Sequence, residues 1–161
     1  MELVQWIHET VSGEFVLTML MSMLPVIELR GGLPFGVALG LDPRLALLAS
    51  IIGNMLPIPF ILVYIRRVFH WMRHHMPRLD GMVDRLEKKA HLKGRKVTRY
   101  KYLGLMIFVA IPLPGTGGWT GALAAAFLDM PLRKALPSIF AGVCIAGAIV
   151  YLITYGISSI I

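Results

Sequence analysis

Two stretches of the chain run without charge for longer than a soluble domain requires. Arg44–Ile65 is 22 residues with no charge after the first, and Ala135–Ile161 is 27 with none. At 1.5 Å per residue the shorter one reaches about 33 Å, enough to cross a hydrocarbon core of about 30 Å. Both predict spanning helices, the second with some tilt. Pro57 and Pro59 should kink the first. Pro137 lies near the start of the second, where its missing N–H does little harm. Composition agrees: 57% of the 161 residues are hydrophobic and 16% charged, where a soluble domain carries about 25% charged residues. A lone cysteine excludes a disulfide scaffold or a zinc knuckle. The expectation is an all-α integral membrane protein forming a single membrane domain over 1–161.

The net charge of +7 is concentrated. Between Arg66 and Lys101 there are twelve basic residues and three acids, Asp80, Asp84 and Glu87, giving +9, and the rest of the chain carries −2. The positive-inside rule places this segment in the cytoplasm. There it can hold anionic lipid headgroups. Nucleic acid is not expected as a partner, because membrane flanks the segment on both sides. The N-terminus holds Glu2, Glu9 and Glu14 and no Lys or Arg. It lacks the basic region of a signal peptide and reads as a short interfacial helix with Leu3, Val4, Trp6 and Ile7 on one face.

Two further apolar segments are interrupted. Phe15–Ile27 is 13 residues, about 20 Å as a helix and too short to span. It runs into ELRGGLP, with Glu28, Arg30, Gly31, Gly32 and Pro34, before a second apolar run, Phe35–Leu41. Tyr102–Leu128 is uncharged, yet its middle reads PLPGTGG from Pro112 to Gly118, which no regular helix continues through. Each segment predicts two half-helices around a break near mid-membrane. Non-helical backbone is tolerated there only under protein or in a wet cavity.

Sliding the chain on itself by 87 positions pairs Met19 with Met106, Pro25 with Pro112, Gly31 with Gly118, Leu41 with Leu128, Asp42 with Asp129 and Tyr64 with Tyr151. The order half-helix, Pro/Gly break, half-helix, Asp turn, full helix occurs twice. The reading is two repeats, 1–65 and 102–161, around a basic amphipathic cytoplasmic segment, 66–101. If each broken segment re-enters on its own side, Arg133 and Lys134 stay cytoplasmic, both termini lie outside and the repeats are inverted; if each spans, those two charges face outward. The charge rule favours re-entrant hairpins, an architecture of transporters.

Glu28 and Arg30 are the charges expected deep in the bilayer, each costing roughly 2.5–3.5 kcal/mol if left to lipid. Read functionally, Arg30 holds an anion and Glu28 carries a proton; read structurally, they form a buried salt bridge at a hairpin tip. In PLPGTGGWTGALAA, residues Pro112, Pro114, Gly115, Thr116, Gly117, Gly118, Trp119 and Thr120 offer backbone N–H groups, hydroxyls and a half-helix N-terminus as an anion cradle facing Arg30, or simply a tight turn. Trp119 either stacks on substrate or packs in the core. Asn54 either lines the cavity or satisfies carbonyls freed at the Pro57 kink. Gly32, Gly36 and Gly40, and again Gly118, Ala122 and Ala126, form small-residue faces for close helix packing, as Gly142 and Ala146 can. His70 and His74 have helical metal spacing, but arginines crowd them, and an interfacial helix with Phe69 and Trp71 fits better. Cys144 reads as inert packing. There is no nucleophile–base pair, carboxylate pair or metal cluster, so no enzyme, metal or cofactor is expected.

The motifs IELRGGLPFG and IPLPGTGGWTGALAA, with the basic loop between them, resemble the bacterial and archaeal family of small multidrug export proteins over nearly the whole chain. That family is distantly similar to the DedA superfamily of re-entrant-helix membrane proteins. The resemblance to DedA implies transport of a polyprenyl phosphate carrier lipid, with acidic and arginine residues in the hairpins. Glu28 and Arg30 match the charged first hairpin in kind. DedA proteins usually carry arginines around the proline of the second hairpin, and Pro112–Thr120 has none.

The leading expectation is a multi-pass transporter or flippase of the inner (cytoplasmic) membrane. Its substrate would be an amphipathic anion of the polyprenyl phosphate type, with Glu28 as proton site and Arg30 as anion site. The alternatives are a proton-coupled exporter of lipophilic cations, which needs only a membrane carboxylate, and a non-transporting scaffold held by the basic loop. A chain this small is expected to need a second subunit, as a homo-oligomer, to bury re-entrant backbone.

Overall fold

A computed structural model describes residues 13–75, 100–113 and 116–156. The expected interfacial helix around Trp6, residues 76–99 of the basic segment, Pro114 and Gly115 of the second break and the last five residues lie outside the described part. Among the described residues the elements are seven α-helices and no strand: α1 Glu14–Met23, α2 Glu28–Ala38, α3 Pro43–Met55, α4 Ile58–His75, α5 Tyr100–Ala110, α6 Gly118–Phe127 and α7 Leu132–Tyr151, with a π-turn at Leu152–Gly156.

Two helical stretches, Pro43–Ile65 and Leu132–Tyr155, are long and apolar enough to cross a membrane. The first is α3 and α4 in series. It starts where Asp42 accepts the Arg44 N–H at 2.9 Å with Pro43 at the first helical position, an arrangement that satisfies one orphan donor and uses the residue lacking another. It is interrupted at Leu56–Pro57, as the prolines predict. The helix then continues through His75, so the start of the basic segment extends the span. In α7, Pro137 is the sixth residue, deeper in the helix than the sequence suggests, because the helix begins at Leu132.

The first break lies earlier than expected. The chain leaves helix at Leu24–Ile27 around Pro25, and ELRGGLP is itself helical, with Pro34 inside α2. The glycines there serve packing: a Cβ on Gly32 or Gly36 would strike Ser22 or Thr18 of α1. The second break, from Ile111 to Gly117, falls where the prolines and glycines place it.

The surface is apolar where that of a soluble protein is polar. Thr18, Ser22, Glu28, Ser50 and Asn54 are buried, while Leu17, Leu20, Leu48, Ile52, Phe60, Leu103, Ile107 and Phe140 are exposed. Thr18 and Ser22 hydroxyls donate to the carbonyls of Glu14 and Thr18, one turn back, so they need no water. An apolar exterior around an apolar core that holds a few polar side chains is stable when the surrounding solvent is lipid.

Contacts recur between the two halves. α1 packs on α2 and α3, and α5 packs on α6 and α7; across the halves, α2 packs on α7 and α6 on α4. A Cβ on Gly53 would run into the Met19 carbonyl, and one on Gly142 into the Met106 carbonyl. Likewise Gly32 lies against Ser22, and Gly121 against Val109. Both second helices close on a left-handed residue, Gly40 (φ 97°) or Asp129 (φ 50°). A buried Leu41 or Met130 follows, whose N–H reaches back to Gly36 at 3.1 Å or Ala125 at 2.9 Å. Met19/Met106 and Ser22/Val109 are 87 positions apart, whereas Gly32/Gly121, Gly40/Asp129 and Gly53/Gly142 are 89 apart. The second break thus holds two extra residues. A uniform slide of 87 registers α1 on α5 but misses beyond: the identities Gly31/Gly118, Leu41/Leu128, Asp42/Asp129 and Tyr64/Tyr151 are not equivalent places.

Candidate functional site

The two breaks meet. Arg30, in the first turn of α2, donates from its guanidinium to the carbonyl of Leu113, to that of Ile111 at 3.0 Å and to the Thr116 hydroxyl oxygen at 3.2 Å. The Thr116 hydroxyl also lies 2.7 Å from the Ile111 carbonyl and 2.9 Å from that of Leu113. These carbonyls belong to the stretch after α5 ends, where Pro112 cannot donate. In an apolar surround such groups need internal partners, and a planar cation with five donors supplies several at once.

Glu28 is the first residue of α2, with φ 49° and 6% exposure. Its Oε1 accepts the backbone N–H of Trp119, the second residue of α6, at 3.2 Å. Gly117, the N-cap of α6, has no side chain to do this, and a Cβ there would overlap the Glu28 carboxylate. Glu28 therefore caps α6 from another helix. A carboxylate at a helix N-terminus answers both its unpaired N–H groups and its positive dipole end. Trp119 also donates its indole N–H to the Met23 carbonyl at 3.0 Å, which joins α6 to the end of α1.

A cleft of about 610 Å³ opens beside these groups, lined by Pro25, Val26, Ile27, Glu28, Arg30, Gly31, Pro112 and Thr120. Asn54, 3% exposed, reaches the same region from α3 and has no hydrogen-bond partner for Oδ1.

Of the residues singled out from sequence, Glu28, Arg30, Gly31, Asn54, Pro112, Thr116, Gly117, Gly118, Trp119 and Thr120 come together here. Gly32 packs on Ser22, away from the cleft; Pro114 and Gly115 lie outside the described residues. The pairing differs from the expectation in one respect. The glycine-rich turn does not face Arg30 with free N–H groups, because the tethered Glu28 carboxylate already sits in it, and Arg30 binds carbonyls instead. Trp119 is tied through its indole N–H. The carbonyls of Met23, Ile111 and Leu113 escaped sequence reasoning because a backbone oxygen leaves no residue signature; the only hint was Pro25 matching Pro112.

An apolar exterior, two membrane-length helical stretches and a buried carboxylate beside a half-buried guanidinium between broken helices mark a multi-pass α-helical membrane protein. More specifically, a family profile described as "Putative small multi-drug export protein" matches residues 28–149, and the chain belongs to that family. The match starts at Glu28, directly after the first break, and takes in the second. No curated protein and no solved structure matches the chain.

Proposed function

We propose that the chain is a small proton-coupled exporter of lipophilic cations in which Glu28 is the exchanging group. The observation that carries this is a carboxylate, almost wholly buried, that lines a largely apolar cleft and accepts one hydrogen bond, from a backbone N–H, with Arg30 as its neighbouring charge. A carboxylate can neutralise a proton or a cation, but not both at once, and that exclusivity is the coupling. Protonation removes the charge that both the α6 N-terminus and a bound cation attract, so the cation leaves. The walls Pro25, Val26, Ile27 and Pro112 suit the apolar body of such a substrate. The family's printed name is in line with this reading.

A second reading, a flippase of an amphipathic anion such as a polyprenyl-phosphate-type carrier lipid, is favoured by Arg30 at the cleft beside the α6 N-terminus. It ranks lower because the Arg30 donors already serve Ile111, Leu113 and Thr116.

For the membrane arrangement we propose two inverted units, each a re-entrant hairpin followed by a spanning helix, with 66–101 cytoplasmic, both termini outside and a second subunit covering the outer backbone. The lengths support re-entry: α1 and α5 have 10 and 11 residues, about 15–17 Å against a 30 Å core. The test is export of tetraphenylphosphonium from proteoliposomes under a pH gradient. Glu28→Gln should abolish it. Wild-type rates in Glu28→Gln would overturn the proposal, and translocation of a polyprenyl phosphate in its place would establish the second reading.

A further inference from the structure

A second and much smaller cavity shares Glu28 and Arg30 with the cleft. It admits the centre of a water-sized sphere over about 10 Å³ and is lined by Glu28, Leu29, Arg30, Asn54, Val109, Gly117, Gly118, Val143 and Ala146. That is close to the space one water needs. Most of its lining falls at places that correspond between the two halves. Glu28 and Gly117, Leu29 and Gly118, and Asn54 and Val143 are each 89 apart, the same interval as Gly53 and Gly142. The first unit contributes the acid and the amide; the second contributes two glycines and a valine. The polar side therefore comes from the first unit: Arg30, whose donors serve Ile111, Leu113 and Thr116, and two acceptors, a carboxylate and the unpartnered Asn54 Oδ1. A buried acceptor left unpaired costs about 1–3 kcal/mol, and the ligand that fits both the volume and the chemistry is a donor of water size.

We propose that this cavity holds one water bridging Asn54 to Glu28, and that the water is what lets Glu28 exist there in either protonation state. With Glu28 ionised, the water donates one hydrogen to the carboxylate and the other to Asn54 Oδ1. With Glu28 protonated, the carboxyl O–H donates to the water oxygen, and the water still donates to Asn54. Apart from the O–H bond made or broken as the carboxyl gains or loses its proton, only hydrogen bonds change, and Glu28 and Asn54 Oδ1 stay paired in both states. The charged group facing Glu28 from its own helix is Arg30, and from α6 it meets the N-terminal amides; neither can change from donor to acceptor, and a water can. Asn54 is thus a positioning residue. The role assigned to it rests on the reading of Glu28 as a proton carrier, but the presence of the water does not.

The test is infrared difference spectroscopy of the purified full chain in lipid nanodiscs, with pH as the perturbation. The wild type should show one O–H stretch that shifts in ¹⁸O-labelled water and changes together with the Glu28 carboxyl band. Glu28→Gln identifies that carboxyl band. Asn54→Leu should remove the water band, and Asn54→Asp, which keeps an oxygen at the Oδ1 position, should retain it. Gly118→Ala tests the same point without touching a polar group: its Cβ would lie 3.0 Å from Asn54 Oδ1 and 3.2 Å from Ile58 Cδ1, so it should expel the water. A wild type with no such band, or a band unchanged in both Asn54→Leu and Gly118→Ala, would overturn the proposal. So would a band present in sodium chloride and absent in choline chloride, since the ligand would then be a cation. The band surviving alongside normal export by Glu28→Gln would sink the exporter reading and leave the water in place.

Discussion

The Glu28 carboxylate occupies the volume in which a side chain on Gly117 would have to sit. These two positions correspond between the halves of the chain, so a single structural place supplies an acid in one unit and the room for that acid in the other. The α6 N-terminus is consequently capped by a group from α2, and the two breaks form one unit.

Gly117→Ala should push the carboxylate off the Trp119 N–H. The expected loss is about 1–3 kcal/mol, the cost of leaving buried polar groups unpaired, read as a lowered unfolding midpoint in detergent. In a Glu28→Ala background the same substitution should cost far less, because the clash is with that side chain alone. Equal costs in both backgrounds would refute direct contact by the logic of a double-mutant cycle.

Arg30→Lys keeps the charge but loses the planar fork. One ammonium cannot replace a guanidinium that reaches Ile111, Leu113 and Thr116 together. Destabilisation of about 1–3 kcal/mol is expected for lysine and more for alanine, which leaves the single hydrogen of the Thr116 hydroxyl to serve both carbonyls. If lysine matches wild type in thermal unfolding and in export, the guanidinium is not the clamp described here.

Gly53→Ala and Gly142→Ala should behave as a matched pair. Each new methyl would meet a backbone carbonyl, of Met19 or Met106, that cannot rotate aside, and overpacking of this kind costs about 1–3 kcal/mol. Gly104→Ala is the control. It lies in α5 with nothing within 4 Å of the new Cβ, so removal of glycine's backbone freedom should stabilise by about 0.5–1 kcal/mol. Guanidinium or thermal melts of the three variants check all three signs.

Asp129 holds a left-handed φ of 50° at the end of α6, where the first unit uses Gly40 with φ 97°. Asp129→Gly should raise stability by about 0.5–1 kcal/mol, and Gly40→Ala should lower it by a similar or larger amount. Thermal unfolding of both decides; the same sign for the two would contradict the equivalence of these turns.

Sequence reasoning went furthest where a residue type has one physical use. Uncharged length located the spans, Pro57 located the bend, and PLPGTGG located the second break. Glu28 and Arg30 stood out because charge in an apolar run is expensive. It fell short where the deciding partner was a backbone atom or a register. ELRGGLP looks like a helix breaker, but in the folded chain its glycines face Ser22 and Thr18 across a helix–helix contact. The 87-residue slide followed identities and so passed over a two-residue insertion that only paired contacts reveal. The glycine turn reads from sequence as an anion cradle or a tight turn, and neither reading points to Glu28, two positions from Arg30, as the group that sits against it.

The Arg30 clamp also bears on how the protein is made. The guanidinium is synthesised 81 residues before the Ile111 carbonyl that it binds. Throughout that interval the guanidinium lacks the carbonyls it binds in the folded chain and has only Glu28 beside it, a costly state in hydrocarbon. The first half of the chain is therefore complete only once the second break is in place, and the two halves depend on each other to fold.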